Sequence, residues 1–237
     1  MASPLNPDRL LTVWESGMRR HPIDRALLLF ALSEPRMPPD TLADAPLGRR
    51  NASLMALHRT LFGTRLATWT DCPACAERMD LDTDVAQLPP VPAHVPALIE
   101  AAGLRFRRPT SRHLAGLTEI TDPEAAARQL LRECAETPEA LPRDDAALSR
   151  LMDAVEPVLE AADPWADLSL AVHCPNCGHE GSATLNIADI LWEEIDSHAR
   201  SLLDEVHTLA QAYGWSEPQI LALSNTRRTA YLVRVQS

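Results

Sequence analysis

Lysine is missing from this chain: all 22 of its lysine-plus-arginine positions are arginine. Glycine is scarce, at eight in 237 residues, and tyrosine and phenylalanine number only two and three. Each shortage excludes something. There is no Gly-rich phosphate loop, and no nucleophile elbow, HExxH or paired-aspartate pattern occurs either. An enzyme is hard to build from what remains, so a non-enzymatic role is expected. Few aromatics leave little for a base-stacking platform. No apolar run approaches the roughly 18 residues that cross a bilayer. Residues 1–8 lack a basic-then-apolar signal pattern, which makes the cytoplasm the expected compartment and a membrane an unexpected partner.

Positive charge is also in deficit. The formal net charge is −11, and most of the excess lies between residues 118 and 168, where thirteen acids face four arginines. Such a surface repels a phosphate backbone, so nucleic acid is not expected as a partner. The one basic patch, Arg105-Phe106-Arg107-Arg108 with Arg112 nearby, is short and better suited to pairing with the chain's own acidic helices or a protein.

Five cysteines are present, and four of them form two knuckles, Cys72-Pro73-Ala74-Cys75 and Cys174-Pro175-Asn176-Cys177. In a reducing compartment, paired CxxC motifs favour a metal over a disulfide. Thiolates in such turns hold two sulfurs close together, so each knuckle supplies half a tetrahedron. The pair therefore predicts a structural site for one Zn²⁺ on Cys72, Cys75, Cys174 and Cys177, closed to substrate because no coordination position is left. A dithiol redox pair at either motif, a site without metal, and iron in place of zinc are the competing readings. Zinc ribbons usually place about 15–20 residues between their pairs. Here the interval is domain-sized, which makes this a split ribbon. Gly178 follows the second knuckle, where a positive φ is often needed, and Ala76 stands at the matching place in the first. His173 and His179 flank the second knuckle and are expected to be exposed or to support the thiolates. Cys134 lies on an apolar helical stripe and reads as a small buried hydrophobe.

Around the knuckles the expected class is α+β, mainly helical. Residues 1–64 hold N-terminal helices broken by Pro22, including the nearly all-apolar residues 26–32 and a helix over 47–62 with Leu54, Leu57 and Leu61 on one face. Arg49 and Arg50 fall near the start of that helix, where the dipole disfavours cations. A solvated face is the expected reading, an acidic neighbour the sharper one. Residues 65–87 and 166–187 form the split ribbon, as hairpins over 65–85 and 168–187. Residues 88–165 contain the proline linker (Pro89, Pro90, Pro92, Pro96), a helical turn at 98–102, a short strand at 104–108, and helices over 112–120, 123–137 and 144–162. Residues 188–237 hold a long helix capped by Asp189 and ended by Gly214, a restart at Ser216, and a last segment over 226–235. Glu194 with His198, and Glu205 with His207, are the candidate acid–base pairs, with His207 placed in the core.

The C-terminal residues carry a resemblance. Leu191-Trp192-Glu193-Glu194-Ile195, residues 202–210, Tyr213-Gly214-Trp215-Ser216-Glu217, residues 220–224, Arg227-Arg228 and Tyr231-Leu232 resemble the T4-type baseplate family of contractile-tailed phages and phage-tail-like injection systems. Leu47-Gly48-Arg49-Arg50, Leu61-Phe62-Gly63, the two knuckles and residues 106–111 also look like members from injection-system clusters. The resemblance implies an assembly chaperone or minor component of the baseplate or hub. Its partners would be baseplate, hub, spike or tube proteins, it would act in the bacterial cytoplasm, and the family supplies no catalytic residue. The alternative reading is a zinc-ribbon adaptor or transcription regulator.

Overall fold

Prolines punctuate the fold. Proline opens α1 (Pro7–Gly17), α2 (Pro22–Ser33) and α3 (Pro39–Ala43), where its missing N–H costs nothing and its fixed φ suits the first turn. In this computed structural model, which describes residues 5–235, the order continues with α4 (Leu47–Leu61), β1 (Arg65–Asp71), β2 (Arg78–Asp84), β3 (Leu98–Ala101) and β4 (Leu104–Arg107). Then come α5 (Ser111–Gly116), α6 (Pro123–Cys134), α7 (Asp145–Ala162), β5 (Ser169–His173), β6 (Glu180–Thr184), α8 (Ile187–Tyr213), α9 (Glu217–Leu221) and α10 (Asn225–Val235). Helix predominates. Among the described residues the strands form separate two-stranded antiparallel sheets, β1–β2, β3–β4 and β5–β6, so the class is α+β.

Two units divide the chain. Residues 21–190 form one, and residues 5–20 with 191–235 form the other. The larger unit has its core where Phe106 of β4 meets Leu131 of α6 and Leu148 and Val155 of α7; Phe106, Leu148 and Val155 are wholly buried. Burying side chains of this size contributes about 1.5–3 kcal/mol each. β4 is joined to the end of α6 by a bridge between Phe106 and Ala135. In the smaller unit the Trp14 indole N–H of α1 donates to Asp196 of α8 at 2.6 Å. Gly17 leaves room for Trp192, since a Cβ there would stand 2.3 Å from the ring. Val206 and Leu209 of α8 pack on Ile220 of α9, with Trp215 and Tyr231 against them.

Several local expectations need correcting. Residues 98–102 are not a helical turn: Leu98 pairs with Arg107 and Ala101 with Leu104 in a hairpin. Its two turn residues, Ala102 and Gly103, both have positive φ, the geometry of a tight hairpin turn. Asp189 does not cap α8. Asn186 does, accepting from the Asp189 amide through its side chain. The second strand of the second hairpin is Glu180–Thr184, nearer the knuckle than the apolar alternation suggested, and residues 225–235 are fully helical. The inward face of α4 is also rotated. Leu47, Arg50, Asn51, Leu54, Met55 and His58 are buried, whereas Leu57 and Leu61 are only half-buried.

Candidate metal centre

Each knuckle is a turn between two paired strands. In the first, Asp71 pairs with Arg78 at the end of the ladder, and the Cys72 amide donates to the Glu77 carbonyl at 2.8 Å. The Ala76 amide returns to the Cys72 carbonyl at 2.8 Å. The second repeats this: the Cys174 amide donates to the His179 carbonyl at 2.8 Å, and the Gly178 amide to the Cys174 carbonyl at 3.0 Å. Matching positions have matching backbones, Ala76 at φ 58° and Gly178 at φ 72°.

The left-handed region is costly for alanine and free for glycine. Ala76→Gly is therefore expected to raise stability by about 0.5–1 kcal/mol, and Gly178→Ala to lower it by a similar amount. For a chain of this size the shift is about 2–4 °C in opposite directions, read by calorimetry on the metal-loaded protein.

The four sulfurs of Cys72, Cys75, Cys174 and Cys177 lie within 4.8 Å of one another. Cys72 Sγ is 3.7 Å from Cys177 Sγ, and Cys75 Sγ is 3.7 Å from Cys174 Sγ. Four sulfurs placed tetrahedrally at about 2.3 Å from zinc stand ~3.8 Å apart, so these spacings fit that ion. All four are free thiols, not disulfides. The first cysteine of each knuckle is buried and packs with Met79 and Val172, while the second is exposed. Buried and exposed ligands thus alternate, leaving one edge of the cluster toward solvent.

The local field acts in opposite directions on the two cysteines of the second knuckle. The backbone N–H of Cys177, and then that of Asn176, lower the Cys174 thiol to about 7. The His179 amide also pulls on Cys177. The neighbouring sulfurs of Cys75, Cys72 and Cys174 outweigh it and push that thiol to about 12. One proton leaves easily and another is held, because packed thiolates repel until a cation joins them. Asn176 Nδ2 adds a donor 3.7 Å from Cys75 Sγ.

No family model, curated protein or solved structure matches this chain.

The hairpins are brought together by more than cysteine. Asn51 of α4 donates through Nδ2 to the Trp165 carbonyl at 2.9 Å, and the Trp165 indole donates to the Pro89 carbonyl at 3.1 Å. Pro89 follows the first hairpin and Trp165 precedes the second, so these bonds tie the roots that the thiols tie at the tips. Arg50, also buried, donates to Asn51 Oδ1 at 3.0 Å and to Ser111 Oγ at 2.9 Å. Burial lowers its guanidinium to about 10 against the pull of Asp189. The solvated reading holds for Arg49, which is exposed, and fails for Arg50. Asp163 lies over the start of α4, accepting from the Gly48 amide, with Arg108 at 3.6 Å. A Cβ at Gly48 would fall 1.7 Å from Asp163 Oδ1. Asn51, Asp163 and Trp165 were not among the candidates. The available signal was three polar residues, Arg50, Asn51 and His58, on the helical stripe 47, 50, 51, 54, 55, 58.

The remaining candidates are dispersed. Cys134 is buried, 3.7 Å from His113 Nδ1, and desolvation pushes its thiol to about 12. His173 is exposed, 3.9 Å from Glu180. His198 Nδ1 lies 2.9 Å from the backbone oxygen of Glu194. Glu205 is engaged by Arg228 at 2.6 Å, and His207 is exposed, not in the core. The basic patch pairs internally: Arg105 with Glu136 at 2.6 Å, Arg108 with Asp163, and Arg112 with Asp44 at 2.6 Å.

Proposed function

We propose that this protein is a non-enzymatic assembly factor or minor component of the baseplate or hub of a contractile tail-like particle. It acts by binding other particle proteins, and a structural zinc on Cys72, Cys75, Cys174 and Cys177 closes its split zinc ribbon. The observation that carries the reading is the C-terminal unit. The residues that carry the family resemblance are largely those that build it: Val206, Leu209, Ile220 and Leu232 in its core, Gly214 at φ 67° ending α8, and the Arg228–Glu205 pair.

That same stretch gathers both tyrosines of the chain beside one tryptophan. Tyr213 stacks on Trp215 with centroids 4.8 Å apart, and Tyr231 meets Trp215 edge-on at 4.8 Å. Tyr213 remains 38% exposed, and Val233 beside it in sequence from Tyr231 is 58% exposed. Aromatic and arginine side chains of this kind dominate the energetics of protein interfaces. In a chain so poor in aromatics, three of them partly open to solvent in one helical unit support a contact surface.

Affinity purification of the chain co-expressed with tube, spike, sheath and baseplate-wedge proteins tests the reading. Co-purification with a tube, spike or hub protein is the expected result, reduced at least about tenfold by Trp215→Ala, in line with loss of an interface anchor. Presence in mature particles would make it a built-in part, and absence a chaperone. Failure to capture any particle protein, with salt-dependent binding to duplex DNA instead, would replace the proposal by the regulator reading.

A further inference from the structure

We infer that the cleft between α6 and α7 is a docking groove for an apolar segment flanked by arginine or lysine on a partner protein. The inference rests on the binding role proposed above only in taking the partner to be a protein, and it adds a place and a chemistry.

The cleft holds about 410 Å³, within the range of roughly 300–1,000 Å³ typical of ligand sites. Its apolar lining includes Leu131 and Val155, which are buried, and Leu130, Met152 and Leu159, which are half-buried. The half-buried side chains have surface left to cover, and an amphipathic helix laid along a groove covers such a strip with residues one turn apart.

Charge selects the occupant. Glu156, Glu160 and Asp167 stand exposed among the lining residues. Arg108 is the one cation among those described, and it faces the buried Asp163 at 3.6 Å. The surrounding segment, residues 118–168, carries thirteen acids against four arginines. A phosphate or carboxylate group approaching this opening is repelled, whereas a guanidinium or ammonium beside an apolar anchor is attracted and oriented. The groove thus matches a basic amphipathic segment and excludes an acidic one.

The test uses the full chain purified with its metal and two fluorescent helical probe peptides, one of leucine and arginine, the other of leucine and glutamate. Each carries a photo-crosslinker beside its central leucine. The Leu/Arg probe is expected to bind, to weaken as salt rises, and to crosslink to residues lining the cleft, on α6, on α7 and over residues 163–169. Glu156→Arg combined with Glu160→Arg, both exposed sites, should weaken it about tenfold or more. The equivalent reversal at Glu193 and Glu217 should change it less than about twofold. Met152→Glu, which blocks the apolar strip without reversing the rim, should also abolish crosslinking. Equal weakening by the distal reversal, crosslinks away from the residues that line the cleft, equal binding of the Leu/Glu probe, or no binding would each overturn the proposal. These results are separate from particle co-purification: the groove can fail while a hub protein is still captured, and the reverse.

Discussion

Cys174→Ser, or removal of zinc by a chelator, is expected to abolish the cooperative thermal transition of the residue 21–190 unit. Structural zinc supplies roughly 10–16 kcal/mol of apparent binding energy at neutral pH. Total stability of a folded domain is only about 5–15 kcal/mol, so the metal term is as large as the whole margin. The four positions should not respond alike. Cys72 and Cys174 are 2% and 0% exposed, so serine there loses a ligand and buries a hydroxyl. Cys75 and Cys177 are exposed, and water can take the vacated coordination position on three remaining thiolates. Calorimetry with zinc quantification should therefore rank Cys72→Ser and Cys174→Ser as the most damaging, with Cys75→Ser and Cys177→Ser retaining partial metal. Ligating thiols must lose their protons, so zinc loading should fall as pH is lowered and recover as it is raised. An unchanged melting temperature in Cys174→Ser would remove the metal from the account. Unchanged stability with particle-protein binding lost would instead make the clasp itself the contact surface.

Much of the fold was legible where local chemistry decides it. Pro22 and Pro123 mark helix starts, Gly214 marks the end of α8, and the CxxC turns mark both knuckle hairpins. The misses share a cause: a residue in a role its type rarely fills. Ala102 occupies a left-handed turn position usually held by Asn, Asp or Gly, so the first strand of the β3–β4 hairpin read as a helical turn while the second read as a strand. Ala76 does the same in the first knuckle. On α4 the inward stripe runs through Arg50, Asn51 and His58, so counting only leucines rotated the face. Arg50 and Asn51 are inside because Ser111 and the Trp165 carbonyl reach them from sixty or more residues away, which no local pattern encodes. The clustering of the four cysteines needed no such help, since spacing within each knuckle already fixes two sulfurs. How two knuckles 98 residues apart are brought into register was not legible. That depends on the Asn51–Trp165–Pro89 chain of bonds.

Trp165→Ala should show that dependence, because Trp165 supplies no ligand and yet holds the hairpin roots together. The side chain is 4% exposed, and truncating a buried tryptophan costs about 3–5 kcal/mol. Its indole bond to the Pro89 carbonyl is lost as well, leaving that carbonyl to find water. Trp165→Phe keeps most of the packing and removes only the hydrogen bond, worth about 0.5–1.5 kcal/mol. In the proposed clasp, zinc would bind the assembled site and not the separated knuckles, so destabilising the assembled state would weaken apparent affinity by up to the same free energy. A loss of about 3 kcal/mol then corresponds to roughly a hundredfold. In a competition titration, Trp165→Ala is expected to yield its zinc at far lower chelator concentration than the parent, with Trp165→Phe close to the parent. Asn51→Ala should fall between them, because it breaks the same chain at its other end and removes one of the two buried acceptors of Arg50, leaving Ser111 Oγ. Parent-like zinc retention in Trp165→Ala, at reduced thermal stability, would mean that the knuckles find each other without the roots. The thiol cluster alone would then be the device that closes this unit.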